Sequence, residues 1–155
     1  MDSPVLYPYP NWDSHRMGRD DDPPQIVSPF RIRADRCGRL WVLDTGYVNI
    51  LEDDARPLSR PRLLIYTLRT DQLLRSYTIP DEQVHQNNSF FANIAVEDND
   101  CQNSFAYLAD LGHPAMVVYS YQAQKSWLVK HHYFHINPIA GEMLVGGVTF
   151  QWTDG

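Results

Sequence analysis

Apolar residues in this chain gather in short runs rather than recurring at every third or fourth position. Leu40-Trp41-Val42-Leu43 follows the turn Cys37-Gly38 and stops at Asp44-Thr45-Gly46. A matching phrase returns later, where Phe105–Ala109 follows a polar turn holding Cys101 and stops at Asp110-Leu111-Gly112. Short β-branched and aromatic runs bounded by Gly, Asn and Asp mark strands. The pattern predicts hairpins throughout. Arg31–Ala34 pairs with Leu40–Leu43, and Leu63–Leu68 with Leu73–Ile79 across Arg69-Thr70-Asp71-Gln72. Asn93–Val96 pairs with Phe105–Ala109, and Met116–Tyr121 with Ser126–Tyr133. No stretch keeps a helical period over ten residues, so helices should be scarce.

The hairpins repeat in pairs. Asp44 and Gly46 map onto Asp110 and Gly112, 66 residues on, while Tyr66 and Leu74 map onto Tyr119 and Trp127, 53 residues on. The unit is therefore four strands with a connection of variable length in its middle. Four-stranded units at such periods are the sequence pattern of a β-propeller blade. Each recurring phrase would supply a blade's inner hairpin, placing Leu40–Leu43 and Phe105–Ala109 among the innermost strands. Apolar residues on both faces of Leu40–Leu43 suit a strand packed between neighbouring sheets. The fold class is all-β, a partial propeller of about two blades and the start of a third. Two blades do not close a ring, so the chain reads as part of a larger domain spanning 29–155, with an exposed sheet face prone to self-association.

Ahead of the hairpins, residues 1–28 are rich in Pro and Asp and read as an extended arm. Tyr7, Tyr9 and Trp12 would supply its apolar contacts. Asp20-Asp21-Asp22 lacks the spaced ligands and glycine of a calcium loop and reads as a solvated turn. The 155 residues are 43% hydrophobic and 21% charged, which suits a globular domain rather than a disordered tail. The net charge of −6 argues against nucleic acid. No apolar run is long enough to span a bilayer. The opening MDSPVLYPYPNWD has neither the charged start nor the apolar core of a signal peptide. Either the chain is cytosolic or its true start lies elsewhere.

The phrases YPNWDSHRMG, CGRLWVLDTG, LLIYTLRTDQLLRSYTIP, FANIAVED, CQNSFAYLADLG, VVYSYQAQKSW and AGEMLVGGVTFQW resemble the insect Yellow/major royal jelly protein family. The resemblance runs in order from Tyr7 to Trp152. It implies a secreted six-bladed propeller, of which this chain is an N-terminal part. It also implies a place among cuticle pigmentation proteins, dopachrome-converting activities, royal jelly proteins and binders of biogenic amines. Family members carry further cysteines near Asp22 and Ser59, whereas this chain has only Cys37 and Cys101. These two stand in equivalent turns of successive blades, expected about 10 Å apart and beyond the ~7 Å reach of a disulfide. No Cys37–Cys101 bridge is expected. The family pattern implies that Cys37 lacks its partner and that Cys101 pairs with a cysteine beyond residue 155.

Candidate chemistry is sparse. Asp44 and Asp110 end strands near a propeller's channel, where paired carboxylates bind an amine or move a proton. Aspartates placed so more commonly accept backbone N–H groups in the turn after the strand. Asn93 is a third candidate, as a channel-lining amide or a strand-entry residue. His131, His132 and His135 invite a metal reading, but alternation along a strand sends His132 to the opposite face, so no metal site is expected. No nucleophile elbow, phosphate loop or zinc-protease motif occurs, and no cofactor is expected. Asn87-Asn88-Ser89 is a glycosylation sequon. The family resemblance implies two alternative functions. One is tautomerisation of dopachrome by a positioned acid and base. The other is binding of an indole, a small aromatic or biogenic amine, or a cuticle or jelly partner, without turnover.

Overall fold

The computed structural model describes residues 5–15, 26–85 and 89–151. Twelve strands and four short 3-10 turns make up the described residues, and no α-helix is among them. β1 (Pro29–Ala34), β2 (Arg39–Asp44), β5 (Arg62–Thr67) and β6 (Leu73–Thr78) form one antiparallel sheet in that order. Between β2 and β5, the two-residue strands β3 (Tyr47–Val48) and β4 (Arg56–Pro57) make a small hairpin. A second four-stranded sheet runs β7 (Phe91–Glu97), β8 (Phe105–Asp110), β9 (Ala115–Ser120) and β10 (Lys125–Lys130). β11 (Glu142–Val145) and β12 (Val148–Gln151) pair as a separate hairpin. Two successive four-stranded meanders are a partial propeller.

Alternation decides which residues the sheets bury. Trp41 stands opposite Ile65, and Leu43 opposite Leu63, on one face of the first sheet. They meet Ile94, Ala106, Leu108, Val117 and Tyr119 from the second sheet in the main core. The first sheet's other face carries Val42, Leu64 and Tyr66, covered by Ile26 and Tyr9 of the arm. The arm folds on itself to lie there: Ile26 N–H donates to the Ser14 carbonyl at 2.9 Å. Of the three aromatic residues expected to anchor it, only Tyr9 packs. Tyr7 and Trp12 are 88% and 66% exposed.

Three further expectations are corrected. β2 and β8 are the second strands of their sheets, each flanked on both sides; the edge strands β1 and β7 run alongside one another. The sheets converge at that edge, so it is the inner one. β10 ends at Lys130 rather than Tyr133, because its partner β9 begins at Ala115 and offers no ladder beyond. Residues His132–Phe134 form a 3-10 turn capped by His131.

The third correction concerns the cysteines. Cys37 and Cys101 form a disulfide, with Cα atoms 5.7 Å apart. The 10 Å spacing holds between sheet faces, not between the loops beyond their ends. Here the β1–β2 turn leans onto the β7–β8 loop. Arg36 donates to Asp98 from its backbone N (2.6 Å) and its Nε (3.0 Å). Buried Arg39 reaches across to the Cys101 carbonyl at 2.9 Å and to Ser104 Oγ at 2.6 Å, while its Nε pairs with Asp35. Its guanidinium also lies 4.3 Å from the Tyr121 ring centroid.

Candidate functional site

The residues expected to carry chemistry lie at the end of the sheets where β1 and β7 begin. Both first strands carry a register irregularity there, between Pro29 and Arg31 and between Phe91 and Asn93. Bulges of this kind re-aim side chains next to functional sites. The rings of Phe30 and Phe90 meet edge-on, with centroids 4.6 Å apart, and join the two strand entries.

Asp44 closes β2 with its carboxylate fully buried. Oδ1 accepts from Ser28 N (2.7 Å) and Gly46 N (3.2 Å). Oδ2 accepts from Val27 N (3.1 Å) and an Arg62 guanidinium N (3.3 Å). Gly46 follows at φ +74°, and a Cβ there would lie 2.2 Å from the Ser59 carbonyl oxygen, so only glycine fits. Asp110 repeats the arrangement in the second sheet. Its Oδ1 accepts from Phe90 N (2.7 Å) and Gly112 N (3.0 Å), and its Oδ2 from the Ser89 hydroxyl (2.6 Å). Each aspartate ties the entry strand of its own sheet to the turn that ends the next strand. Both carboxylates are thus engaged by donors of the strand entry and the turn.

Asn93 is exposed and its Oδ1 accepts from Ile94 N at 3.0 Å. Arg31 holds the equivalent bulge position on β1 and is also exposed. What the inner edge presents is thus donor groups, Arg31, Arg33 and Asn93, suited to a carbonyl or quinone oxygen. Arg31 is not evident from sequence, because its equivalence to Asn93 rests on register: each lies two residues after the partner of the Asp that ends the next strand, Pro29 opposite Asp44 and Phe91 opposite Asp110.

The remaining candidates are not drawn together. The His131 and His132 rings lie tilted to one another with centroids 4.2 Å apart near Tyr133, and His131 Nδ1 accepts from Tyr133 N. Among the described residues, no three His, Cys, Asp or Glu side chains are placed to hold a metal ion. His85 and His113 stack in parallel at 4.7 Å beside the Asp110 turn. Asn87 and the run Asp20–Asp22 lie outside the described residues. No helix among the described residues is long and apolar enough to cross a membrane.

Comparison with known proteins adds the decisive observation. Residues 27–155 match the family model described as Major royal jelly protein. The chain belongs to the Yellow/major royal jelly protein family. It is 41% identical over 153 residues to Protein yellow of Drosophila erecta, covering 97% of this chain and 27% of that protein. The Drosophila melanogaster Protein yellow is 40% identical over the same extent. A protein named Dopaminechrome tautomerase, also from Drosophila melanogaster, is 34% identical over 154 residues, 99% of this chain and 33% of its own length. The chain thus spans about a third or less of these Yellow-family relatives.

Proposed function

We propose that this chain is part of a secreted Yellow-family protein acting in melanin pigmentation or the cuticle, with conversion of a dopachrome-type aminochrome as its activity. The observation that carries the proposal is the 34–41% identity, over nearly the whole chain, to proteins named for pigmentation and for dopaminechrome tautomerisation. Residues 1–28 are the arm, and residues 29–155 belong to one larger propeller domain. The Cys37–Cys101 bridge supports an oxidising compartment, since disulfides persist outside the cytosol. Asn87 is the proposed glycan acceptor.

Tautomerisation removes a proton from a carbon and returns one to an oxygen or a neighbouring carbon, which needs a free base and an acid. The described residues supply donors at the inner edge, while backbone N–H groups, Arg62 and the Ser89 hydroxyl engage Asp44 and Asp110. In this reading Arg31 and Asn93 orient the quinone oxygen, and the base comes from elsewhere in the longer protein. The same observation favours a second reading, in which the protein holds an aromatic amine without turnover.

The test is to follow dopachrome and dopaminechrome absorbance with the full-length protein, beside calorimetric titration with dopamine. Decay faster than the buffer rate, with dopamine as a weak competitor, supports catalysis. Dopamine binding with no acceleration supports the second reading. Neither signal would remove both.

A further inference from the structure

The inner edge of the first sheet carries charge that the fold does not use. β1 is exposed along its whole length. Register places Arg31 opposite Leu43 and Arg33 opposite Trp41, so the two arginines share one face of the strand. Same-face residues two apart on a strand are separated by about 7 Å. Among the described residues, neither guanidinium has a hydrogen-bond or ion-pair partner. The carboxylates of the adjoining strands and turns are engaged already. Glu97 accepts from the Tyr107 hydroxyl, Asp98 from Arg36, Asp35 from Arg39 and Asp44 from Arg62.

The second sheet shows that a first strand does not need these cations. Leu43 and Trp41 correspond to Ala109 and Tyr107, whose partners on β7 are Asn93 and Ala95. Arg31 is thus matched by an amide and Arg33 by a methyl group, and both counterparts are exposed as well. In a chain of net charge −6, two unpaired guanidiniums make this edge locally positive. Beside them Phe30, 36% exposed and edge-on to Phe90, offers an apolar surface.

We propose that Arg33 binds a carboxylate of the ligand, and so selects a carboxylated aminochrome over its decarboxylated counterpart. The inference rests on the reading above, in which Arg31 and Asn93 orient the quinone oxygen. Dopachrome carries a carboxylate on its saturated ring, at the end of the bicycle away from the quinone oxygens. Dopaminechrome has hydrogen there. A guanidinium grips a carboxylate with two parallel N–H donors, a fork that a lone quinone oxygen does not fill. The separation of Arg31 and Arg33 suits a bicycle held at both ends. The same two cations repel an ammonium, so an aromatic amine without a carboxylate is a poor ligand for this edge.

The test compares dopachrome with dopaminechrome as substrates of the full-length protein, beside calorimetric titration with indole-2-carboxylate, indole and dopamine. The expected result is a kcat/KM about tenfold higher for dopachrome, the size of one charge-assisted hydrogen bond. Arg33→Gln should bring the two values together by raising KM for dopachrome, and should weaken indole-2-carboxylate by a similar factor. Arg33→Lys keeps the charge without the fork and should recover part of the preference. Arg33 is exposed, so both variants should melt with the unsubstituted protein, which separates lost selectivity from lost folding. Where neither aminochrome decays faster than in buffer but indole-2-carboxylate binds through Arg33, the activity proposed above falls and the carboxylate site stands. Equal acceleration of the two aminochromes, or unchanged discrimination in Arg33→Gln, would overturn the inference. Tighter binding of indole or dopamine than of indole-2-carboxylate, or no binding of any probe, would overturn it too.

Discussion

The face of the first sheet toward the second and the open face of the second sheet are copies of one another. Trp41, Leu63 and Ile65 on the former correspond to Tyr107, Met116 and Val118 on the latter. The first set is wholly buried, because the second sheet lies over it. The second set is half-buried, and beside it Trp127 is 48% exposed. Tyr107 turns its hydroxyl to Glu97 at 2.6 Å instead. Matching strands thus reach different burial because of what covers them, and a blade's stability is set largely by its neighbour.

The sharpest way to break this comparison is a pair of truncations in residues 1–155. Trp41→Ala removes a buried indole that also donates to Asp35 at 2.7 Å, and should cost about 3–5 kcal/mol in urea unfolding. Tyr107→Ala, its copy, should cost below about 1 kcal/mol. Equal losses would mean that the second sheet's open face is covered in solution. Next in size, replacing Cys37 and Cys101 together by Ser releases a constraint across 64 residues and should cost about 2–4 kcal/mol, with dithiothreitol reproducing the loss in the parent chain. No change on reduction would mean that the loop contacts alone hold the sheets together.

A smaller difference should separate the two aspartates. Asp44→Asn disturbs a fully buried carboxylate and should cost about 2 kcal/mol, against about 1 kcal/mol for the partly buried Asp110→Asn. Each should lower activity of the full-length protein only as far as it lowers the folded fraction. A variant that melts normally but fails to bind or turn over ligand would return that carboxylate to the site. The smallest effect concerns acid. Hydrogen bonds from the Arg36 backbone and guanidinium hold the Asp98 carboxyl below its ordinary value. The unfolded chain therefore takes up that proton at higher pH than the folded one. The stabilisation is complete above the ordinary carboxylate range and is lost as pH falls through the lowered value. Asp98→Asn should flatten the acid side of a melting-temperature profile slightly, and added salt should shrink the difference.

The sheets were legible because alternation and turn chemistry are local. The runs 40–43, 63–67 and 105–109 lie within strands, and the two copies of Asp-x-Gly end β2 and β8. The disulfide was not legible, because it depends on how far two loops lean past the ends of their sheets. Spacing along the chain does not encode that. Which ring the N-terminal segment buries depends on its path over Tyr66, which local pattern does not encode, so Tyr9 and Trp12 are alike by sequence. The aspartates could be narrowed only to two roles, the turn acceptor being the commoner, since a carboxylate after a strand also suits a ligand. Hydrogen-bond partners decide between those roles, and they come from residues 16 to 21 positions away.

Those partners bear on how such a chain can grow. Asp44 holds the lead-in to its own sheet, at Val27 and Ser28, and Asp110 does the same at Ser89 and Phe90. A gene segment coding for one unit therefore brings its own fastening when it is duplicated, and the fastening requires nothing new of the unit beside it. Neighbour-facing residues can then diverge separately, as Trp41 and Tyr107 have, while the aspartate and the glycine two residues after it persist in both copies.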